Sequence, residues 1–113
     1  MRACNLRNGR ELSASVEVAD RLLKRMKGLL GRKKLEEGES LCITPCKSIH
    51  TIGMRFPIDA VFLDKRNVVI KVKKNLLPNR ITALALRAVS VLELSAGTLT
   101  ATDTRVGDTV EIA

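Results

Sequence analysis

The chain has 113 residues, of which 45% are hydrophobic and 28% charged. This usage is typical of a globular domain and excludes a disordered chain, and we expect a single domain over residues 1–113. A surface with a formal net charge of +8 attracts anions, which include nucleic acid, acidic proteins, anionic lipid head groups and phosphorylated metabolites. With no Trp, no Tyr and two Phe, the composition argues against an aromatic stacking platform for single-stranded nucleic acid.

Cysteine usage and hydropathy bear on the compartment. The chain has three cysteines, Cys4, Cys42 and Cys46, and an odd number does not suit the disulfide framework of a secreted domain. The first residues lack the apolar core of a signal peptide, and no window approaches the ~20 apolar residues of a membrane span. We therefore expect a cytoplasmic protein with free thiols.

The N-terminal residues predict a hairpin. Cys4 and Leu6 alternate with polar neighbours, and Asn8-Gly9 supplies the residues that a type I′ turn requires. After this turn, apolar and polar residues alternate strictly from position 11 to position 18. This period of two predicts a strand with one face exposed to solvent.

A basic amphipathic helix is predicted at about residues 20–30. Asp20 can cap the helix, and apolar residues then recur at helical spacing up to Leu30. Between Arg21 and Lys34 the chain has seven basic residues and no acidic one. This segment therefore predicts a cationic surface, for which nucleic acid or an anionic membrane is a candidate partner.

Short extended segments make up most of the remaining chain. Apolar runs and alternating patterns predict strands at about residues 41–44, 47–52, 58–63, 68–73, 89–94, 99–102 and 109–112. Residues 76–87 lack a clear period, and Pro78 indicates a loop that a helical turn can follow. We expect Lys71, Lys73 and Lys74 to protect a sheet edge electrostatically.

These elements together predict an α+β, β-rich fold. The expected architecture is a compact, mainly antiparallel curled sheet or a partly closed barrel of seven to eight short strands. The one amphipathic helix at about residues 20–30 would cover an open side or edge of this sheet.

The segment from Cys46 to Asp59 holds the residues that could carry chemistry. If its two halves form a hairpin, His50 and Asp59 lie opposite or diagonal to one another. A carboxylate within an apolar strand needs a hydrogen bond, and the imidazole of His50 can supply it. Cys46 would complete a Cys-His-Asp set of the kind that activates a thiol nucleophile. A purely structural contact between the imidazole and the carboxylate is the alternative.

A metal site is not expected. Cys42, Cys46, His50 and Met54 recur every four residues, but Pro45 argues against the continuous helix that would gather them on one face. In a strand, successive members of this series would be about 13 Å apart, too far for one ion. The Cys-x-x-Cys spacing typical of zinc sites is absent. We expect neither a metal nor a cofactor.

The leading hypothesis is a non-enzymatic accessory or binding domain, because polar residues interrupt otherwise apolar strands. Its expected pocket or contact surface consists of His50, Thr51, Met54, Arg55, Pro57, Asp59 and Glu93. A hydrolase or transferase that uses Cys46 or His50 is a second hypothesis. The third is an electrostatic binder of nucleic acid or anionic membrane, through the surface from Arg21 to Lys34. The chain would be a monomer or a weak dimer.

Two charged residues of this surface have expected partners. Arg55 can pair with the carboxylate of Asp59 or Asp64, or with a ligand carboxylate, although a surface ion pair contributes under ~1 kcal/mol. On its predicted strand, Glu93 lies on the same face as apolar residues of that segment. We therefore expect Glu93 to be partly buried and paired with a cation.

The central segment resembles a known family. Residues 46–64 match the pattern C-x-x-x-H-T-x-G-M-x-x-P-I-D-x-x-F-x-D, and M-K-G-L-L at 26–30, V-L-E-L-S-A-G at 91–97 and V-G-D at 106–108 add support. The chain is similar, from about residue 21 to its end, to the small domains of the domain-of-unknown-function-192 family. The resemblance implies a compact β-rich fold with a helix near its start, and it implies no established activity.

Overall fold

The computed structural model describes residues 1–19 and 35–113. The predicted amphipathic helix and the basic run between Arg21 and Lys34 lie outside these residues. The described residues form eight strands and one short helix, with the bounds β1 Ala3–Asn5, β2 Glu11–Ser13, β3 Ser15–Ala19, β4 Glu39–Ile43, β5 Ile58–Leu63, β6 Val69–Leu76, β7 Ser90–Ser95, α1 Thr98–Ala101 and β8 Val110–Ile112. None of the helical structure in these two ranges could serve as a membrane span.

The strands build two sheets. β2, β1 and β8 form a three-stranded antiparallel sheet, and the other five strands form a sheet with the order β3-β4-β7-β5-β6. β3 and β4 run parallel, whereas the remaining neighbours of the larger sheet run antiparallel. The expected β-rich, mainly antiparallel α+β fold is therefore confirmed, and the sheets do not close into a barrel.

β5 is buried along its whole length. All of its residues are buried because β7 and β6 flank the strand and both faces of the sheet are covered. Alternate side chains of a strand lie on opposite faces, so Phe62 lies on one face, here called face A, and Val61 on the other, face B. The apolar run that predicted a buried strand reflects this interior position.

Each face of the larger sheet has its own hydrophobic core. On face A, the sheet packs with loop residues in a cluster of Ala19, Leu35, Leu41, Ile43, Ile49, Met54, Ile58, Ala60, Phe62, Ala88 and Val91. On face B, it packs with the three-stranded sheet and α1 in a cluster of Ala3, Leu12, Val16, Cys42, Val61, Leu63, Val69, Leu92, Leu94, Leu99 and Val110. Full burial of one such side chain stabilises the fold by about 1.5–3 kcal/mol.

The predicted N-terminal hairpin is confirmed, but its second strand is divided. β2 pairs with β1, whereas β3 follows after Ala14 and joins the larger sheet. Hydrogen bonds fix this bend, because the Ser13 hydroxyl donates to the Gly38 carbonyl at 2.8 Å. In the turn, Gly9 has a positive φ of 72° and Asn8 does not, so the expected type I′ geometry is wrong.

Two other predicted strands are wrong. The segment 99–102 belongs to α1 and the residue after it, because Gly97 turns the chain with a φ of 95° and the helix begins at Thr98. The segment 47–52 forms no strand, and an isolated bridge joins its residue His50 to Ile81. Its backbone polar groups bond to a second loop instead of to a sheet.

The two ends of the chain are tied by a polar network at one end of the three-stranded sheet. Asp108 accepts hydrogen bonds from Arg7 Nε at 2.6 Å and from Asn5 Nδ2 at 2.9 Å. The pKa of Asp108 is lowered to about 2, mainly by the hydrogen bond from Arg7 and to a smaller extent by those from Asn5 and Arg105. Asp108 is therefore ionised at neutral pH and holds the turn before β8 against the β1–β2 hairpin.

Candidate functional site

The carboxylate of Asp59 lies on face B and accepts hydrogen bonds from backbone N–H groups. Its side chain accepts hydrogen bonds from the N–H groups of Asn75 at 2.8 Å, Gly97 at 3.1 Å and Leu99 at 2.9 Å. Asp59 is 1% exposed, so these bonds satisfy a carboxylate that solvent does not reach. The predicted hydrogen bond between His50 and Asp59 is therefore wrong. The carboxylate holds the start of α1 and a bulge of β6 in place.

His50 lies on the surface, away from this carboxylate. The residue is exposed, and its imidazole makes no hydrogen bond or ion pair with any described residue. Its neighbour Thr51 is buried, and the Thr51 hydroxyl donates to the Leu77 carbonyl at 2.6 Å while accepting the N–H of Arg80 at 2.9 Å. Met54 is buried in the face A core. Of these predicted residues, His50 thus lies on the surface, Thr51 holds the backbone of the neighbouring loop and Met54 belongs to the core.

Two loop segments run antiparallel through this region, and we call residues 47–51 and 79–85 the loop ribbon. Backbone N–H groups of Thr51, Thr82 and Ala85 donate to carbonyls of the opposite segment at 2.8–2.9 Å. Burial alternates along the ribbon: Ile49 and Thr82 are buried, whereas His50 and Ile81 are exposed. The ribbon therefore has an inner side on face A and an outer side that faces solvent.

The predicted Cys-His-Asp set is not assembled. The Cys46 thiol is half-buried and donates to the Ser48 carbonyl at 3.0 Å, while the His50 ring has no hydrogen-bond partner in the described part of the chain. Asp59 lies on the opposite face of the sheet from the loop ribbon. Nor do residues 1–19 and 35–113 contain a group of three His, Cys, Asp or Glu side chains that could hold a metal ion.

Arg55 and Pro57 follow the ribbon on the way to β5. Arg55 is exposed and forms no ion pair within the described residues, so the expected bond to Asp59 or Asp64 is wrong. Asp64 instead caps its own turn, where it accepts the N–H groups of Arg66 at 2.8 Å and Val68 at 3.0 Å. The Val68 and Arg66 bonds lower the pKa of Asp64.

Glu93 is a buried carboxylate on face A. Leu41 of β4 and Ala60 of β5 flank it in the sheet, and Glu93 is 4% exposed. Among the residues that the structure describes, Glu93 forms no hydrogen bond or ion pair, so the expected pairing with a cation finds no partner there. Burial raises the pKa of Glu93 to about 7. At neutral pH this side chain is near the midpoint of its titration and can donate as well as accept a hydrogen bond.

An apolar groove, which sequence reasoning missed, opens beside the first residues of β6. Its volume is about 690 Å³, and it is lined by Val68, Val69, Ile70, Lys71, Leu84, Ala85, Leu86, Arg87, Val106 and Gly107. Three apolar side chains at this groove are largely exposed: Leu84 at 65%, Leu86 at 75% and Val106 at 59%. Ile81, opposite His50 on the loop ribbon, is 72% exposed. Large apolar residues in a segment with no strand or helix period were the available signal.

The groove lies in the most cationic part of the described sequence. From position 65 to position 92 the acidic residue types are absent, and the basic residues are Lys65, Arg66, Lys71, Lys73, Lys74, Arg80 and Arg87. Lys71 Nζ donates to the Ala83 carbonyl at 3.0 Å and stands 5.0 Å from the centre of the Phe62 ring. Lys47 Nζ donates to the carbonyls of Leu86 at 2.7 Å and Ala88 at 2.9 Å. Two lysines thus fix the loop that carries the exposed leucines.

A second cavity, of about 530 Å³, lies where β2, the loop before β4 and α1 meet. Glu11 and Glu37 are the charged residues in its wall, together with hydroxyl groups such as those of Ser13 and Thr98. These hydroxyls already bond within the protein: Ser13 donates to Gly38, and Thr98 donates to the Ser95 carbonyl at 2.8 Å. None of the seven residues of the predicted pocket lines either cavity.

Comparison with known proteins agrees with this architecture. The model of DUF192, an uncharacterized ACR family, matches residues 4–112. A protein of unknown function from Novosphingobium aromaticivorans is 22% identical with a TM-score of 0.86, over 99% of this chain and 84% of that one. A "putative transcription regulator" from Sinorhizobium meliloti is 23% identical with a TM-score of 0.82, over 97% and 89% of the two chains. No curated protein matches. At these identities the two structures show a shared fold.

Proposed function

The chain belongs to the DUF192 family, which is uncharacterized, and we propose that this member is an accessory protein-binding domain. Its contact surface is the apolar groove together with the outer side of the loop ribbon. The observation that carries this proposal is the exposure of Ile81, Leu84, Leu86 and Val106 in one part of a small domain. Exposed apolar side chains that cluster beside a groove mark interaction sites more often than single ones do.

The leucines are suited to act as anchors. Interface energy concentrates in a few apolar or aromatic side chains that enter a pocket on the partner or receive one. The loop that carries Leu84 and Leu86 is held by the Lys47 and Lys71 bonds to its carbonyls. A fixed loop loses little conformational entropy on binding, which favours affinity. These contacts support a preformed surface.

The partner is proposed to be an acidic protein segment with apolar anchors. The groove contains Lys71 and Arg87, and the surrounding stretch carries further cations without an acidic residue. Complementary charge accelerates association and excludes wrong partners. A second copy of this chain is disfavoured, because each copy has a formal net charge of +8 and would bring cations against cations.

The residues predicted from the sequence take definite parts in this proposal. His50 lies on the outer side of the loop ribbon and Arg55 follows it, and both are exposed and contribute to the contact surface. Thr51 supports the loops through its hydrogen bonds, and Met54 belongs to the face A core. Asp59 contributes stability. The hypothesis of a hydrolase or transferase loses its geometric support, since Cys46, His50 and Asp59 do not form a bonded set.

Binding of nucleic acid is the alternative that the experiment must separate. A relative of the same fold carries the name "putative transcription regulator", and a basic surface attracts phosphates. The exposed side chains at the groove are aliphatic, however, and aliphatic side chains add little to phosphate contacts. We therefore favour a protein partner over a polynucleotide.

The test measures fluorescence anisotropy of short labelled probes with the purified chain. The probes are an acidic peptide with two leucines, the same peptide with serines for the leucines, a version with lysines for its acids, and duplex DNA. We expect the acidic leucine peptide to bind most tightly. Leu86→Ser is expected to weaken it about tenfold, which corresponds to about 1.4 kcal/mol.

Leu6→Ser is the matched control, because Leu6 is 55% exposed in the β1–β2 turn and lies outside the groove. Its affinity is expected to equal that of the wild type. The proposal would be overturned if the Leu86→Ser variant bound the acidic leucine peptide as tightly as the wild type does. Tighter binding of duplex DNA than of any peptide would also overturn it.

A further inference from the structure

β6 is the last strand of the larger sheet, and most of its outer edge is unused. On that side, Val69 donates its N–H to the Asp108 carbonyl and accepts the N–H of Gly107, both at 2.8 Å. Beyond Val69, no described residue outside β5 bonds to the backbone of the strand, except that the Asp59 carboxylate accepts the Asn75 N–H. Alternate backbone groups of an edge strand point away from the sheet and can pair with another strand.

The charges on this edge select what can pair with it. β6 carries Lys71, Lys73 and Lys74, and the last two are exposed. Lysines on an edge strand repel a second copy of the same edge, as the sequence led us to expect. The same lysines attract an extended segment whose side chains are acidic. The edge is therefore protected against self-association and open to an acidic strand.

The apolar groove continues this edge. Its wall includes Val69, Ile70 and Lys71, the first residues of β6, together with Leu84 and Leu86. An extended segment that runs along β6 would pass directly into the groove. Backbone pairing would then supply affinity, and a side chain in the groove would supply specificity.

We propose that the partner is an acidic extended segment that adds to β6 as a sixth strand and places an apolar side chain in the groove. This inference rests on the proposed function, because it specifies how the same surface is used. It commits to backbone pairing, which groove binding alone does not require.

The experiment compares the acidic leucine peptide with two of its N-methylated forms. In one form the odd-numbered amides carry methyl groups, and in the other the even-numbered amides do. Each form lacks the hydrogen-bond donors of one edge of the extended peptide and keeps every side chain. We expect one N-methylated peptide to bind about tenfold or more weakly than the unmodified peptide, and the other to bind equally well. The reason is that only one edge of the added strand faces β6. Hydrogen exchange of β6 amides should slow when the unmodified peptide is bound.

The protein variants test the charge requirement. Lys73→Glu with Lys74→Glu is expected to weaken binding of the acidic peptide about tenfold. Arg2→Glu with Arg10→Glu makes the same charge change at the residues just before β1 and β2, and is expected to have a much smaller effect. Equal binding of both N-methylated forms, with no change in β6 exchange, would overturn strand addition. If the peptide still required Leu86 in that case, the proposed function would stand while this inference failed.

Discussion

The carboxylate of Asp59 accepts the backbone N–H of Leu99 at 2.9 Å, although 40 positions separate the two residues. This bond joins β5, an interior strand of the larger sheet, to the start of α1, which has no side-chain cap of its own. The same carboxylate also holds β6 through Asn75. One buried acid thus fixes three elements, and its role is to organise the fold around the site.

Replacing Asp59 with Ala should strongly destabilise the chain. Three backbone N–H groups would lose a charged acceptor, and leaving buried donors unsatisfied costs about 1–3 kcal/mol or more. Urea unfolding measures the change. Asp64→Ala is the control, because Asp64 caps an exposed turn and its loss should cost much less. Equal losses for the two variants would contradict the assigned role of Asp59.

Glu93 should make stability fall as the pH rises. Burial raises its pKa from 4.5 to about 7, so the folded protein binds this proton more tightly than the unfolded chain does. The stability that this residue contributes is full below pH 4.5 and is lost as the pH rises through 7. The loss amounts to about 3 kcal/mol at most.

The variant Glu93→Gln isolates this effect because glutamine does not titrate. We expect its free energy of unfolding, relative to the wild type, to increase from pH 5 to pH 8. Urea titrations at the two pH values measure the difference. A difference that stayed constant with pH would mean that Glu93 titrates normally.

Asp108 should have the opposite pH dependence. The Arg7 hydrogen bond is the largest cause that lowers its pKa from 3.8 to about 2. Its contribution is therefore present above pH 4 and is lost as the pH falls through 2. Asp108→Asn should be less stable than the wild type at pH 6, and the gap should narrow in acid. An unchanged gap at pH 2 would contradict this expectation.

The thiols should differ in reactivity. Cys42 is 6% exposed, and burial is the main cause that raises its pKa, against a smaller opposing effect of Ser90. Because the thiolate is the reactive species, an alkylating probe should label Cys42 more slowly than Cys4 or Cys46. Mass spectrometry of the labelled peptides measures the rates. Fast labelling of Cys46 with a thiolate-like pH profile would restore the enzyme hypothesis.

The sequence patterns predicted those elements that depend on residues close together in the chain. β5 was recognisable because both of its faces are covered, so its apolar run survives in the sequence. The resemblance over residues 46–64 likewise indicated the right family. The helix α1 was mistaken for a strand because its start depends on the Asp59 carboxylate, which comes from a distant strand.

The site was less predictable because exposure depends on tertiary packing. His50 and Asp59 belong to the same motif, yet one is on the surface and the other is buried on face B. Leu84 and Leu86 lie in the segment 76–87, for which the sequence predicted a loop without a clear period, and both side chains are exposed. The lack of a strand or helix period in this segment was the available signal, and it does not say whether an apolar side chain there packs inside or stays exposed.

We propose that the surface around Leu84, Leu86 and Val106 binds an acidic, apolar protein segment. Titration of the isotope-labelled chain with the acidic leucine peptide, followed by NMR, tests it most directly. Chemical-shift changes concentrated at these residues and along β6 are the predicted result. Changes confined to the β1–β2 hairpin and α1, or no saturable change at low salt, would contradict it.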